Sequence, residues 1–351
     1  MIYLAGPKAH SMAHKQTGKV RAGLFVPLCL AMAAPFAWVQ VGRPAPEATE
    51  PIAPLADAQA SDLARAALGE SLFNDPRLSH GDRLACSSCH RLDLGGDDGQ
   101  ARSVAQDSGR LDFNAPTVFN AALDFRLNWR GNFRSFEEQN EAALLDRRLM
   151  NTSWEEVLAK LRSDPGYSER FAKLYGAAPA RTDVLDALAV FQRSLITPDA
   201  RFDRYLKGER NAITSDEEEG YRLFKAYGCV ACHQGVNIGG NLFQKFGIFQ
   251  DPFAGQKTVT TADLGRFAIT GVEADRHVFR VPSLRNVAVT APYFHDGRTA
   301  SLGEAVRIMA RNQLGRELDP HDANLIVEFL GTLTGRYRGR PLTSTADRPR
   351  Q

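Results

Sequence analysis

Two pentapeptides carry the chemistry of this sequence: Cys86-Ser87-Ser88-Cys89-His90 and Cys229-Val230-Ala231-Cys232-His233. In C-x-x-C-H the two thiols are spaced to add to the two vinyl groups of one haem, while the adjoining histidine ligates its iron. Composition alone would place only about 0.002 such pentapeptides in the chain, which has five cysteines and eight histidines, so two copies are not accidental. The rival readings are a redox dithiol and half of a zinc site. A redox dithiol has no need of a histidine after the second cysteine, and no further cysteine pair completes a zinc set. Two covalent c-type haems, on His90 and His233, are therefore expected.

What each haem can do depends on the position opposite its histidine. A sulfur or nitrogen ligand there makes an electron carrier, and an empty position admits peroxide or dioxygen. His10 and His14 lie in a basic N-terminal segment, which leaves His80, His277, His295 and His321, each of which taken alone reads as a surface or structural histidine. Beyond the N-terminal region the methionines are Met150 and Met309. Met309 falls on a predicted helix downstream of the second motif, and the residues alone leave it open between a core side chain and an axial thioether.

Helix signals surround both motifs. Ser153 with Glu156 makes a capping box ahead of Val157, Leu158 and Leu161, and Thr182 opens a run with Leu185, Leu188, Phe191 and Leu195. Thr214 with Glu217 caps a helix carrying Tyr221 and Phe224, stopped by Gly228 just before Cys229. Ser301 with Glu304 starts another through Val306 and Met309, and Asp319-Pro320 starts a last one with Leu325, Ile326 and Phe329. Strand alternation is scarce. The expected fold is mostly α, with two c-type cytochrome domains, one over residues 61–200 and one over 201–335, followed by a tail, 336–351.

The first 42 residues read as an address. Lys8, Lys15, Lys19 and Arg21 precede an apolar run from Ala22 to Ala37, with a small-x-small site at Ala31-Met32-Ala33, as in a secretory signal. An uncleaved anchor is the alternative, opposed by Pro27 and Pro35 inside a short run. Residues 43–60, rich in proline, read as an extended linker, with order expected from about Ser61. Charge is nearly balanced, 43 basic residues against 41 acidic in 351, with no basic block interleaved with aromatics, so a nucleic-acid partner is not indicated.

Longer stretches make the chain resemble the bacterial diheme cytochrome c peroxidases, periplasmic enzymes whose family includes the methylamine-dehydrogenase-maturing diheme proteins. Before the first motif stands Leu68-Gly69-Glu70-Ser71-Leu72-Phe73-Asn74-Asp75-Pro76-Arg77-Leu78-Ser79; after it come Asn114-Ala115-Pro116-Thr117-Val118-Phe119-Asn120, Trp129 with Gly131, and Glu137-Glu138-Gln139. The second half adds Gly235-Val236-Asn237-Ile238-Gly239-Gly240, Val278-Phe279-Arg280-Val281-Pro282-Ser283-Leu284-Arg285-Asn286, and Thr290-Ala291-Pro292-Tyr293-Phe294-His295-Asp296-Gly297. The likeness covers roughly residues 62–335.

The resemblance implies two haems facing across an interdomain interface. Peroxide would be reduced at the N-terminal haem, with electrons from a small cytochrome c or cupredoxin entering at the C-terminal one. It places Met309 as axial ligand of the C-terminal haem, Trp129 between the haems and Gln139 in the peroxide pocket. It also implies one interdomain Ca²⁺, held by the side chain of Asn114 and the backbone carbonyls of Thr290 and Pro292. Such oxygen-only ligands suit calcium. The family commonly forms homodimers, and the sequence carries no independent sign of one.

Two departures matter. The family's distal histidine, sixteen residues after the proximal one, is here Gln106, and a carboxamide is a poor haem ligand. The family's distal glutamate falls on Leu149, which cannot transfer protons; losing a general acid–base costs about 10² to 10⁴ in rate. A small shift in register would nominate Glu141 or Asp146 instead, though neither sits at the expected spacing, and a water held by Gln139 or Gln106 is a further substitute. Three functions follow: a peroxidase reducing H₂O₂, favoured by most of the sequence; a diheme oxidase modifying a protein substrate, permitted by Gln106 but opposed by Met309; and a non-catalytic electron-transfer or sensing protein, favoured by Leu149.

Overall fold

The structure, a computed structural model, describes residues 50–56, 62–256 and 258–344. The apolar and basic N-terminal segment read as a signal or anchor lies outside these residues. No helix among the described residues is long and apolar enough to cross a membrane.

The chain is mostly α, as its capping signals imply. The helices are α1 (Leu63–Phe73), α2 (Phe136–Leu145), α3 (Trp154–Ser163), α4 (Pro165–Tyr175), α5 (Arg181–Arg193), α6 (Arg201–Leu206), α7 (Ser215–Tyr227), α8 (Phe267–Thr270), α9 (Leu302–Leu314) and α10 (Pro320–Gly331). Two short antiparallel pairs complete it: β1 (Phe243–Lys245) with β2 (Val278–Arg280), and β3 (Arg336–Tyr337) with β4 (Arg340–Pro341). The Thr214 capping box closes in both directions, with the Thr214 N–H on Glu217 Oε2 at 2.8 Å and the Glu217 N–H on Thr214 Oγ1 at 3.2 Å. Gly228 then ends α7 at φ 95°, a left-handed turn that a β-carbon would strain. α5 begins earlier than the sequence suggests, at Arg181 with Ala180 as its cap, so Thr182 lies inside the helix.

Two apolar cores are built by the same device. In the first, α1 crosses α5 at Gly69, where a β-carbon would stand 1.9 Å from the Ala187 carbonyl oxygen. In the second, α7 crosses α10 at Gly220, where it would stand 2.0 Å from the Leu325 carbonyl oxygen. Each glycine lets two backbones touch, which brings Leu68, Leu72, Phe73, Leu188 and Phe191 together in one core, and Tyr221, Phe224, Ile326 and Phe329 in the other.

The two halves are stitched by buried polar groups. Asn120 Nδ2 donates to Thr197 Oγ1 (2.8 Å) and Asn286 Nδ2 to the same oxygen (3.0 Å), while the Gly335 N–H donates to Asn286 Oδ1 (2.9 Å). Within the second half Arg285 grips Asp203 with both Nη atoms, at 2.9 and 3.0 Å, both side chains being 1% exposed. The proline-rich stretch read as a linker takes part: Ile52 and Leu55 are buried, the Leu55 N–H donates to Asp203 Oδ1, and Arg285 Nη2 donates to the Ala53 carbonyl. Packing therefore starts before Ser61, because Ile52 joins the second core and Leu55 is buried with its N–H on Asp203.

Candidate functional site

Both C-x-x-C-H motifs sit on short 3₁₀ turns, Cys86–Ser88 and Cys229–Ala231, and neither cysteine pair forms a disulfide. The N–H of His90 donates to the Cys86 carbonyl and that of His233 to the Cys229 carbonyl, both at 3.0 Å, so each turn carries two sulfurs and one imidazole to a single cavity wall. Burial pushes the Cys86 thiol up to about 12 and the Cys229 thiol up to about 11, the reverse of what a redox dithiol needs.

The two histidines are oriented identically. His90 Nδ1 lies 3.3 Å from the Gly96 carbonyl and His233 Nδ1 3.3 Å from the Ile238 carbonyl, which leaves each Nε2 for a metal. Burial lowers the pKa of both rings, His233 to about 4, keeping them in the neutral form that binds iron. The supporting loops repeat as well. Pro116-Thr117-Val118-Phe119-Asn120 and Pro282-Ser283-Leu284-Arg285-Asn286 share the pattern Pro-Thr/Ser-x-x-Asn. Thr117 Oγ1 donates to the Gly95 carbonyl (2.6 Å) and Ser283 Oγ to the Asn237 carbonyl (2.7 Å), each hydroxyl pinning the loop that carries the histidine's acceptor. This repeat is visible in the sequence once the two motifs are aligned, and it marks the residues that orient each imidazole.

The cavity at the second motif, about 250 Å³, is lined by Cys229, Cys232, His233, Met309, Trp129 and His295, and also by Asn114, Thr290 and Pro292. α9 presents Met309, which packs partly buried against the cluster of Phe246, Phe253, Phe279 and Phe294. Trp129 joins the same cluster and donates from Nε1 to the Asn114 carbonyl at 2.9 Å. Asn114 spends Nδ2 on the Gln100 carbonyl (2.9 Å), so its amide oxygen is the atom left for a cation. Nearby, the position of a β-carbon on Gly95 lies 2.8 Å from Thr290 Cγ2 and 3.2 Å from Asp97 Oδ1. Asp97 is 3% exposed, and burial followed by the neighbouring Asp98 pushes its carboxyl up to about 7.

The cavity at the first motif, about 160 Å³, is lined by Cys86, Cys89, His90, Gln139, Leu149 and Met150, with apolar walls from Phe73, Phe136 and Leu188. Gln139 comes from α2 and stands with Leu149 at the same cavity. Gln106 is not among the lining residues. Its Nε2 donates to the His80 carbonyl (2.6 Å) and its N–H to the Arg148 carbonyl (2.8 Å), while Oε1 is buried without a donor. The loop that carries it is strapped by Arg148, whose guanidinium donates to Asp112 Oδ1 (2.8 Å) and to the Arg110 carbonyl. His80 is also directed elsewhere, its Nδ1 3.0 Å from Glu156 Oε2. The nearby carboxylates are engaged too: Glu141 accepts from Arg181 and Trp154, and Asp146 from the Arg148 N–H. Met150, to which sequence reasoning gave no role, does line this cavity.

Between the cavities lies a buried ion pair that sequence reasoning missed. Arg280, in β2, has Nη1 2.8 Å from Asp124 Oδ2, with both side chains under a tenth exposed. No signal local to either residue predicts it, since the partners stand in different halves of the chain.

Known proteins resemble this chain over most of its length. Residues 63–211 match the family model described as di-haem cytochrome c peroxidase. The cytochrome c551 peroxidase of Nitrosomonas europaea is 41% identical over 289 residues, 82% of this chain and 85% of that protein. The cytochrome c peroxidase Ccp of Escherichia coli is 39% identical over 289 residues, 82% of this chain and 62% of its own length. Among solved structures, that of a MauG-like protein associated with microbial copper homeostasis superposes with a TM-score of 0.70 at 27% identity, covering 83% of this chain and 95% of that one.

Proposed function

This chain belongs to the di-haem cytochrome c peroxidase family, and from that premise we propose that it is an exported, periplasmic enzyme reducing H₂O₂ to water with electrons from a small cytochrome c or cupredoxin. Electrons enter at the C-terminal haem and peroxide reacts at the N-terminal one. The observation that carries this reading is the unlike lining of two otherwise repeated cavities. One offers Met309 beside the aromatic cluster; the other offers Gln139, with Gln106 and His80 both directed away from it.

Bound haem supplies iron that carries electrons where a thioether closes its sixth position and takes peroxide where that position is open. Cys86, Cys89 and His90 would hold the first haem, and Cys229, Cys232, His233 and Met309 the second. The half-buried amide of Gln139 fixes peroxide by hydrogen bonding and holds the water that moves the proton, because Leu149 has no proton to give. With Gln106 tied to His80 and Arg148, no imidazole has to leave the site, so turnover needs no activating reduction. Trp129, joined to the Met309 cluster, lies on the electron's way out of the second cavity. One Ca²⁺ on the Asn114 amide oxygen and the carbonyls of Thr290 and Pro292 would offset the uncompensated Asp97 carboxylate.

A second reading has one observation in its favour: Met150 lines the first cavity and carries a sulfur. If that sulfur closes the N-terminal haem, the protein is a bis-ligated electron carrier or sensor. Spectra of the oxidised, fully loaded protein decide. The peroxidase reading predicts one high-spin ferric haem of the two, unchanged in Met150→Leu. A wholly low-spin protein that turns half high-spin in Met150→Leu would establish the second reading instead.

A further inference from the structure

Among the described residues only Pro116, Thr117, Asp124 and Arg280 line both cavities. Arg280 is also the only arginine or lysine lining the C-terminal cavity, and it shares the N-terminal one with Arg148 alone. Arg148 is already committed to Asp112 and the Arg110 carbonyl. A haem brings two propionate carboxylates, and two haems meeting at this wall bring four. Burying carboxylates without a cation is strongly unfavourable, and a guanidinium is the side chain best shaped to bind two carboxylates at once.

Arg280 is placed for that task. Its backbone N–H donates to the Trp129 carbonyl (2.9 Å), its residue is paired with Phe243 across β1 and β2, and Nε reaches the Asn128 carbonyl at 3.3 Å. Those contacts fix the stem and leave the fork. Nη1 lies 2.8 Å from Asp124 Oδ2 but outside hydrogen-bond geometry, so it is a buried donor without an acceptor. Asp124 is itself held, by Asn237 Nδ2 at 2.8 Å, and a β-carbon on Gly240 would fall 2.0 Å from its Oδ1. The carboxylate therefore cannot swing round to satisfy the fork fully. An orphaned, rigidly mounted guanidinium nitrogen at the wall shared by both cavities is a donor waiting for carboxylates.

We propose that Arg280 is a shared propionate anchor, one guanidinium binding a carboxylate of each haem, with Asp124 setting its orientation and tempering its charge. It rests on the two-haem reading above. The consequence is electrostatic: a single cation between the centres favours the reduced state of both, since reduction adds negative charge to each.

The test uses the fully loaded protein, with covalent haem per chain measured first and both midpoint potentials then followed by spectroelectrochemistry. Arg280→Gln should lower both potentials, and Asp124→Asn should raise both. Propionate-bending bands in the resonance Raman spectra should shift for both haems in Arg280→Gln, a signature that loss of a merely structural ion pair would not produce. A shift confined to one haem, or none, overturns the shared anchor. If Arg280→Gln fails to load haem, Asp124→Asn decides alone, and anything but a joint upward shift overturns the proposal. Fewer than two haems on the unaltered chain would instead sink the two-haem reading, and the anchor with it.

Discussion

Leu149 lines the cavity where peroxide is proposed to react, so Leu149→Glu should make the protein faster. The side chain is half-buried, lines the N-terminal cavity with Gln139, and follows Arg148 directly in the chain. A positioned general acid–base is worth about 10² to 10⁴ in rate, and each decade is about 1.36 kcal/mol of barrier, so the full effect is about 2.7 to 5.4 kcal/mol. The structure points to the lower end. Partial exposure and the neighbouring guanidinium keep a glutamate there ionised near neutrality, ready to take the first proton, while in the proposed mechanism a water on Gln139 already does part of the work. A gain of about 10² in kcat is expected. Stability should fall by about 1 kcal/mol, because the half-buried isobutyl group gives way to a polar one. The assay is steady-state oxidation of reduced cytochrome c by H₂O₂, with Leu149→Gln as a control of equal size that cannot exchange a proton. If the glutamate and glutamine variants turn over alike, the reasoning about proton transfer is refuted.

Other consequences are as direct. Met309→His should lower the potential of the C-terminal haem and leave it low-spin; an unchanged potential would show that Met309 is not its ligand. Asp203→Ala strands Arg285 with 1% exposure, and breaking such a pair costs about 3–5 kcal/mol, so the denaturant midpoint should fall sharply with both haems still attached. A calcium effect should depend on pH. Because the Asp97 carboxyl is raised to about 7, ionising it costs stability that grows from the usual aspartate range up to that value, and a nearby cation offsets the cost. Chelation should therefore lower the melting temperature more at about pH 8 than at about pH 5, and an equal effect at both would separate Asp97 from the cation.

Much of this is legible in the residues themselves. The haem turns follow from Cys and His spacing, and α7 is framed by Thr214, Glu217 and Gly228 because each acts on its nearest neighbours. α1 is less legible: its interior Gly69 reads as a helix weakness, yet the crossing with α5 requires it, a fact that resides in a partner more than a hundred residues away. Residues 50–56 mislead for the opposite reason, since prolines announce an extended chain but say nothing of what Ile52 and Leu55 bury. Gln106 can be seen to be a poor ligand, but not that it bonds to His80 and Arg148 instead. Arg280 looks like one basic residue in a strand. Its meaning comes from the two cavities on either side of it, and those exist only in the assembled fold.

In the proposed function the first haem is open and works as it stands. The direct measurement is oxidation of a reduced small cytochrome c by H₂O₂, started with fully oxidised protein and, in parallel, with protein reduced beforehand. An open first haem gives equal initial rates from the first turnover. A rate that appears only after prior reduction, or no turnover from either form with two haems attached, would contradict it.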